Sequence, residues 1–115
     1  MHITPHNILQ NLTEHSPFIE VFRHDQVSVE LYQPVGQDLQ QPHEYDEVYI
    51  ILKGTGIFNN DGTRHGFKAG DFIFVAKGVA HRFEQFSDDF STWVIFYPAQ
   101  GEPKISAECL PHRPL

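Results

Sequence analysis

Hydrophobic and polar residues along this chain alternate in short runs instead of falling on long helical stripes. Val27-Ser28-Val29-Glu30-Leu31-Tyr32 is the cleanest run, with Val27, Val29 and Leu31 on one face of an expected strand. Phe18-Ile19-Glu20-Val21-Phe22-Arg23 precedes it across a turn at His24-Asp25-Gln26. Residues 47–52 are dense in β-branched and aromatic side chains, and Gly54-Thr55-Gly56 breaks that run. Ile57-Phe58 and Gly66-Phe67 flank Asn59-Asn60-Asp61-Gly62, where the Asp-Gly pair predicts a hairpin. A tight turn at Ala69-Gly70-Asp71 leads into Phe72–Val75, which reads as a buried strand. Residues 81–86 alternate after a turn at Lys77-Gly78. Ser91–Tyr97 is apolar for most of its length, which predicts cover on both faces. About eight short strands with regular turn signals predict an all-β sandwich or barrel.

The flanks differ from this middle. Residues 5–14 are expected to form one short helix with Ile8, Leu9 and Leu12 on one face, docked on the rest of the fold because so short a helix does not hold itself together. Pro98, Pro103, Pro111 and Pro114 exclude a regular element at the other end. The expected organisation is an N-terminal helical extension (1–17), a barrel (18–97) and an irregular tail (98–115).

Composition narrows the partners. The chain has 115 residues, enough for one domain with one core. Its formal charge of −7 argues against a nucleic-acid partner and against adsorption to an anionic membrane. Ten Phe and four Tyr exceed what packing a small barrel requires, and aromatics often line small-molecule pockets. Cys109 is the only cysteine, so no intrachain disulfide forms and a reducing compartment is expected. The first residues lack the basic start and apolar run of a signal peptide, and no apolar stretch is long enough to span a bilayer. The expected location is cytoplasmic.

Two segments carry candidate chemistry. One is Gln41-Pro42-His43-Glu44-Tyr45-Asp46-Glu47, running into residues 48–54; the other runs from Gly70 to His81. On a strand, Gln41 and His43 point to the same side, and Glu47 shares that side if the chain stays extended. His81 enters the strand after the Gly78 turn. Two imidazoles, one carboxylate and one amide oxygen are a reasonable set of donors for a divalent transition metal.

These segments resemble the paired motifs of the cupin superfamily. His43 stands at the second His of the first motif, Glu47 at its Glu and Gly54 at its final Gly, with both spacings kept. Gln41 replaces the first His, and Gly36 lies one residue from the initial Gly position. In the second motif Gly70, Gly78 and His81 match, while Ala76 replaces a Pro and Gln85 an Asn. The resemblance implies an all-β jelly-roll barrel, a double-stranded β-helix, over most of the chain. It also implies a divalent ion (Fe, Mn, Ni or Zn) held by His43, Glu47 and His81, with Gln41 as a fourth ligand or as a hydrogen-bonding neighbour. The cupin-fold phosphomannose isomerases pair a Gln-x-His with a Glu and a later His on zinc, although their His-to-Glu spacing differs. Open metal positions would take a small oxygen-bearing metabolite, for dioxygenase- or isomerase-type chemistry. The alternative is a metal-free barrel that binds or senses a small sugar. Small cupins commonly dimerise, and residues 18–32 and Ser91–Tyr97 are the expected contact surfaces.

The remaining chemistry-bearing residues are expected to be ordinary. Tyr45 and Asp46 read as solvated corner residues, with Tyr45 a candidate for proton transfer or for orienting substrate. His2, His6, His15, His24 and His65 read as surface residues. Arg82 should point away from any site that His81 faces. Cys109 and His112 have no second pair to complete a zinc site. Phe58, Phe67, Phe72, Phe74, Phe83, Trp93 and Phe96 are expected in the core, and some of Tyr49, Ile51, Phe83 and Trp93 along a pocket.

Overall fold

The alternating runs pair into two antiparallel sheets in the computed structural model, which describes residues 1–106. In chain order the strands are β1 (Phe18–His24), β2 (Val27–Tyr32), β3 (Asp46–Lys53), β4 (Thr55–Asn60), β5 (Thr63–Lys68), β6 (Phe72–Val75), β7 (His81–Glu84) and β8 (Ser91–Tyr97). One sheet has the order β1-β2-β8-β3-β6, the other β5-β4-β7. Both contribute to one buried cluster: Tyr49, Ile51, Val75 and Val94 from the larger sheet pack with Phe58, Phe67 and Phe83 from the smaller. Every strand expected from the alternation is present. Asp61 and Gly62 close the β4–β5 hairpin, both in the left-handed region that a two-residue hairpin turn demands. Among the described residues, no helix is long and apolar enough to cross a membrane.

Gly54 ends β3 where no other residue fits. Its φ is +93°, and an added Cβ would lie 2.6 Å from Ser87 Oγ and 2.7 Å from Phe90 Cα. Only Gly54 breaks the chain here, and β4 begins at Thr55.

Four expectations need correction. The helix is a single turn, α1 (Pro5–Leu9): Thr4 supplies no capping hydrogen bond, and Leu9 is its only buried residue. β7 stops at Glu84 because Gln85 turns left-handed at φ 48°. Phe72 is 67% exposed and Trp93 only half-buried, because their partners across the ladder, Ile50 and Leu31, lie on the outer face of the larger sheet. Ser91–Tyr97 is accordingly covered on its inner face and half-open outside. The inward face of β2 is its polar one. Ser28, Glu30 and Tyr32 pair with Phe96, Val94 and Thr92, and these pair with Glu47, Tyr49 and Ile51 on β3. Directly paired residues share a sheet face, so Val29 and Leu31 point outward.

Residues 98–106 contain only bends, as the prolines require. Cys109, His112, Pro111 and Pro114 lie outside the described residues.

Candidate metal centre

The centre is assembled from the start of two strands and one irregular segment. Glu47 is the second residue of β3 and points inward, 1% exposed. His81 opens β7 and is buried. His43 lies in the irregular segment before β3, half-buried, with its ring edge-on to Phe96 at 4.9 Å. Gln41 and His43 belong to no strand, and a bend at Glu44-Tyr45 leads into β3. A loop brings His43 to the site.

Backbone hydrogen bonds hold that loop. Gly78 N donates to His43 O at 2.7 Å, joining the two motif segments directly. Gly78 takes φ +75°, so the turn before His81 uses the residue that tolerates it. Asp46 adds a second clamp. Its carboxylate accepts from Lys77 N at 2.9 Å and from Gln100 N at 3.1 Å. Asp46 is 3% exposed, so it is a structural bolt and not the solvated corner residue its neighbours implied. Asp38, also buried, fixes the loop further upstream. It accepts from Tyr32 OH, Gln40 N, Gln40 Nε2 and Phe83 N. Gln40 Oε1 in turn accepts from Tyr49 OH at 2.9 Å. Burial pushes both phenols up, helped at Tyr32 by the Asp38 charge and at Tyr49 by the Glu47 charge, so neither ionises near neutral pH.

Within this frame His43, Glu47 and His81 each offer a donor atom within 4.8 Å of the others. His81 Nε2 lies 2.6 Å from Glu47 Oε1, and His43 Nε2 lies 4.0 Å from Glu47 Oε2. With the ring protonated, that close approach is an ion pair. His43 Nε2 and Glu47 Oε2 are buried beside it without a hydrogen-bond partner. Polar atoms buried in this way are costly in a protein interior, and a cation that takes the place of the His81 proton would satisfy the whole group. The tautomer also fits. His81 Nδ1 contacts Val79 O at 2.8 Å, and a carbonyl only accepts, so Nδ1 carries a proton and in the neutral ring Nε2 keeps its lone pair. Burial lowers the proton affinity of His81, but contact with Glu47, its charge and the Val79 carbonyl outweigh it, and the net direction is upward. The residues fit a divalent ion held by two imidazoles and a carboxylate.

The centre opens through His43 onto a cavity of ≈ 620 Å³, whose walls include Ser28, Glu30, Gln41, Tyr45 and Phe96. Gln41 and Tyr45 are exposed there. Tyr49, Ile51 and Phe83 are core and do not line it, and Trp93 faces outward. His65 and Arg82 are exposed, as are His2, His6, His15 and His24. Reading the sequence missed Asp38, Glu30 and the β1 bulge between Glu20 and Phe22. An Asp two residues before Gln40 in a loop is a recognisable turn former, but nothing in the sequence marks the distant groups it binds.

The family model described as "Cupin domain" matches residues 28–97. An uncharacterised Streptomyces coelicolor protein is 31% identical over 86 residues, 73% of this chain and 82% of that one. Solved structures agree on the fold. A cupin-2 domain containing protein from Shewanella frigidimarina superposes with TM-score 0.66 at 19% identity, covering 81% of this chain and 91% of that one. A protein from Thermotoga maritima described as a predicted oxalate decarboxylase superposes with TM-score 0.57 at 22% identity, covering 70% and 78%.

Proposed function

This chain belongs to the cupin domain family, and from that premise we propose that it is a metal-binding cupin acting on a small oxygen-bearing metabolite. The observation that carries this reading is the convergence of buried donor atoms from His43, Glu47 and His81 within 4.8 Å of one another, with His43 Nε2 and Glu47 Oε2 lacking any hydrogen-bond partner. His43 Nε2, His81 Nε2 and a Glu47 oxygen hold the ion, which is Fe, Mn, Ni or Zn. Gln41 lies two residues before His43 on the wall of the same cavity and offers its amide oxygen as a fourth donor. A bound ion of this kind supplies Lewis-acid polarisation or, for iron, dioxygen chemistry. The chain itself supplies the rest. Phe96 fixes the His43 ring, Val79 O keeps the His81 proton on Nδ1, and Tyr45 stands at the cavity wall where its hydroxyl orients a ligand or passes a proton. Dioxygenase- and isomerase-type reactions both suit such a centre. The chain works in the cytoplasm as a symmetric pair, joined through residues 18–32 and Ser91–Tyr97.

The test is elemental analysis of protein purified without a histidine tag. Near-stoichiometric transition metal that disappears in both His43→Ala and His81→Ala supports the centre. Absence of metal after repletion with each of the four ions favours the alternative, a metal-free barrel that binds a small sugar.

A further inference from the structure

The cavity beside the centre has an unusual wall. Glu30 projects into it from β2, half-buried, and among the described residues it makes no hydrogen bond and no ion pair. Burial raises its proton affinity, with the Glu20 and Glu47 charges adding to the effect and the Arg23 charge opposing it. An unpartnered carboxylate at this depth weakens the fold, and such groups concentrate where a ligand supplies the missing partner.

The one arginine on that wall does not pair with it. The bulge in β1 shifts the register so that Glu20 faces Glu30 and Arg23 faces Ser28. Without the extra residue, positions three apart would point to opposite faces of the strand. With it, Arg23 and Glu20 share the inner face and meet at 2.6 Å. Arg23 thereby turns one nitrogen to Glu20, and only its charge reaches Glu30. The lining carries two carboxylates, Glu30 and Glu44, against this one guanidinium, and Glu47 adds a third negative charge at the centre. The other wall groups are neutral: Ser28 and Gln41 offer hydroxyl and amide, while Phe18 and Phe96 offer apolar faces.

We propose that Glu30 determines ligand specificity: its carboxylate accepts hydrogen bonds from an uncharged, hydroxyl-rich ligand lying against Phe18 and Phe96, and it excludes ligands that bring a carboxylate to this wall. The class is a small sugar or polyol of a size a cavity of ≈ 620 Å³ admits. A dicarboxylate meets a wall on which the one arginine is outnumbered by Glu30, Glu44 and Glu47 and already contacts Glu20. This rests on the cavity being the ligand site of the proposed metal centre, and it deepens that reading by naming the ligand class.

The experiment is calorimetric titration of the full chain, loaded with Mn(II), against D-xylose and xylitol as neutral probes and malonate and succinate as dianions. The neutral probes are expected to bind more tightly than either dianion. Glu30→Gln, which keeps shape and removes charge, should weaken the neutral probes ~tenfold, the worth of a hydrogen bond to a charged acceptor, and should strengthen the dianions. Its manganese content and circular dichroism should stay at wild-type values. Tighter binding of a dianion to the wild-type protein overturns the proposal. So does a neutral-to-dianion ratio unchanged in Glu30→Gln, or no binding of either neutral probe. If the protein takes up none of manganese, iron, nickel and zinc, the metal reading fails on its own, and the same ratio measured on metal-free protein still decides the role of Glu30.

Discussion

Two residues of travel along β3 and β7 separate two regions of opposite character. Glu47 and His81 face each other at the start of these strands, and Tyr49 and Phe83 follow them on the same inward face. Around Phe83, the rings of Tyr49, Phe58, Phe67 and Phe90 sit 4.6 to 5.3 Å away, edge-on or tilted, and burial is complete. Glu47 and His81 are buried almost as deeply, but Glu47 Oε2 and the neighbouring His43 Nε2 find no hydrogen-bond partner. Burial alone therefore does not distinguish structure from function. What distinguishes them is whether each buried group is satisfied within the chain. The aromatic region is closed and carries stability, and the acid–imidazole region is held in place by its neighbours and kept ready for something else.

The sharpest way to break this contrast is Phe83→Ala. Removing the ring at the centre of the aromatic cluster should cost about 3–5 kcal/mol in urea unfolding. Metal stoichiometry of the fraction that stays folded should remain that of the wild type. A large loss of metal there would mean the two regions are not separable. Asp38→Ala comes next. It removes an acceptor of four hydrogen bonds and should cost about 2–3 kcal/mol, and it should also weaken metal affinity, because the loop that presents His43 slackens. An affinity left intact would show that the Gly78–His43 hydrogen bond suffices.

Two smaller effects follow from protons. His81 binds its proton more tightly in the folded metal-free protein than in the unfolded chain. That contribution to stability is fully present below the ordinary histidine range and is lost as pH rises through the raised value. The melting temperature of metal-free protein should therefore fall by a few degrees across neutral pH, and added metal, which competes with the proton, should oppose the fall. A flat profile would mean that Glu47 does not hold His81 charged. Glu30 has the opposite consequence. Its affinity for a proton is also raised, but for a carboxylate this makes the ionised form a burden, felt above the raised value and relieved as pH falls through it. Glu30→Gln should raise the melting temperature slightly at neutral pH, with the gain fading in acid. A loss of stability at neutral pH would mean that the carboxylate has a partner in the fold.

The aromatic region was easier to read from the chain than the polar one. Alternation located all eight strands, because a half-buried sheet imposes a period of two on its residues. The Asp61-Gly62 turn followed from the left-handed backbone it needs. His43, Glu47 and His81 emerged from motif spacing, and the fold brings all three together. Alternation does not say which face of β2 is the inner one: the outer face holds Val29 and Leu31, and the inner face Ser28, Glu30 and Tyr32. It failed on Phe72 for the same reason, since the outer face of the larger sheet is itself apolar. Asp46 and Asp38 escaped because their worth lies in partners 31 to 54 and up to 45 residues away, respectively. Local pattern encodes which way a residue points, not which backbone amides arrive there.

One of those distant amides has a consequence for how the protein is loaded. Gly78 N on His43 O and Lys77 N on Asp46 bind the two motif segments to each other through the main chain. The socket is therefore assembled before any ion enters it, and its three walls do not need the guest to find one another. An ion bound there as proposed would enter after folding, and its loss would leave the socket standing. Its identity would then be chosen by the supply around a finished protein rather than by the order in which the chain folds.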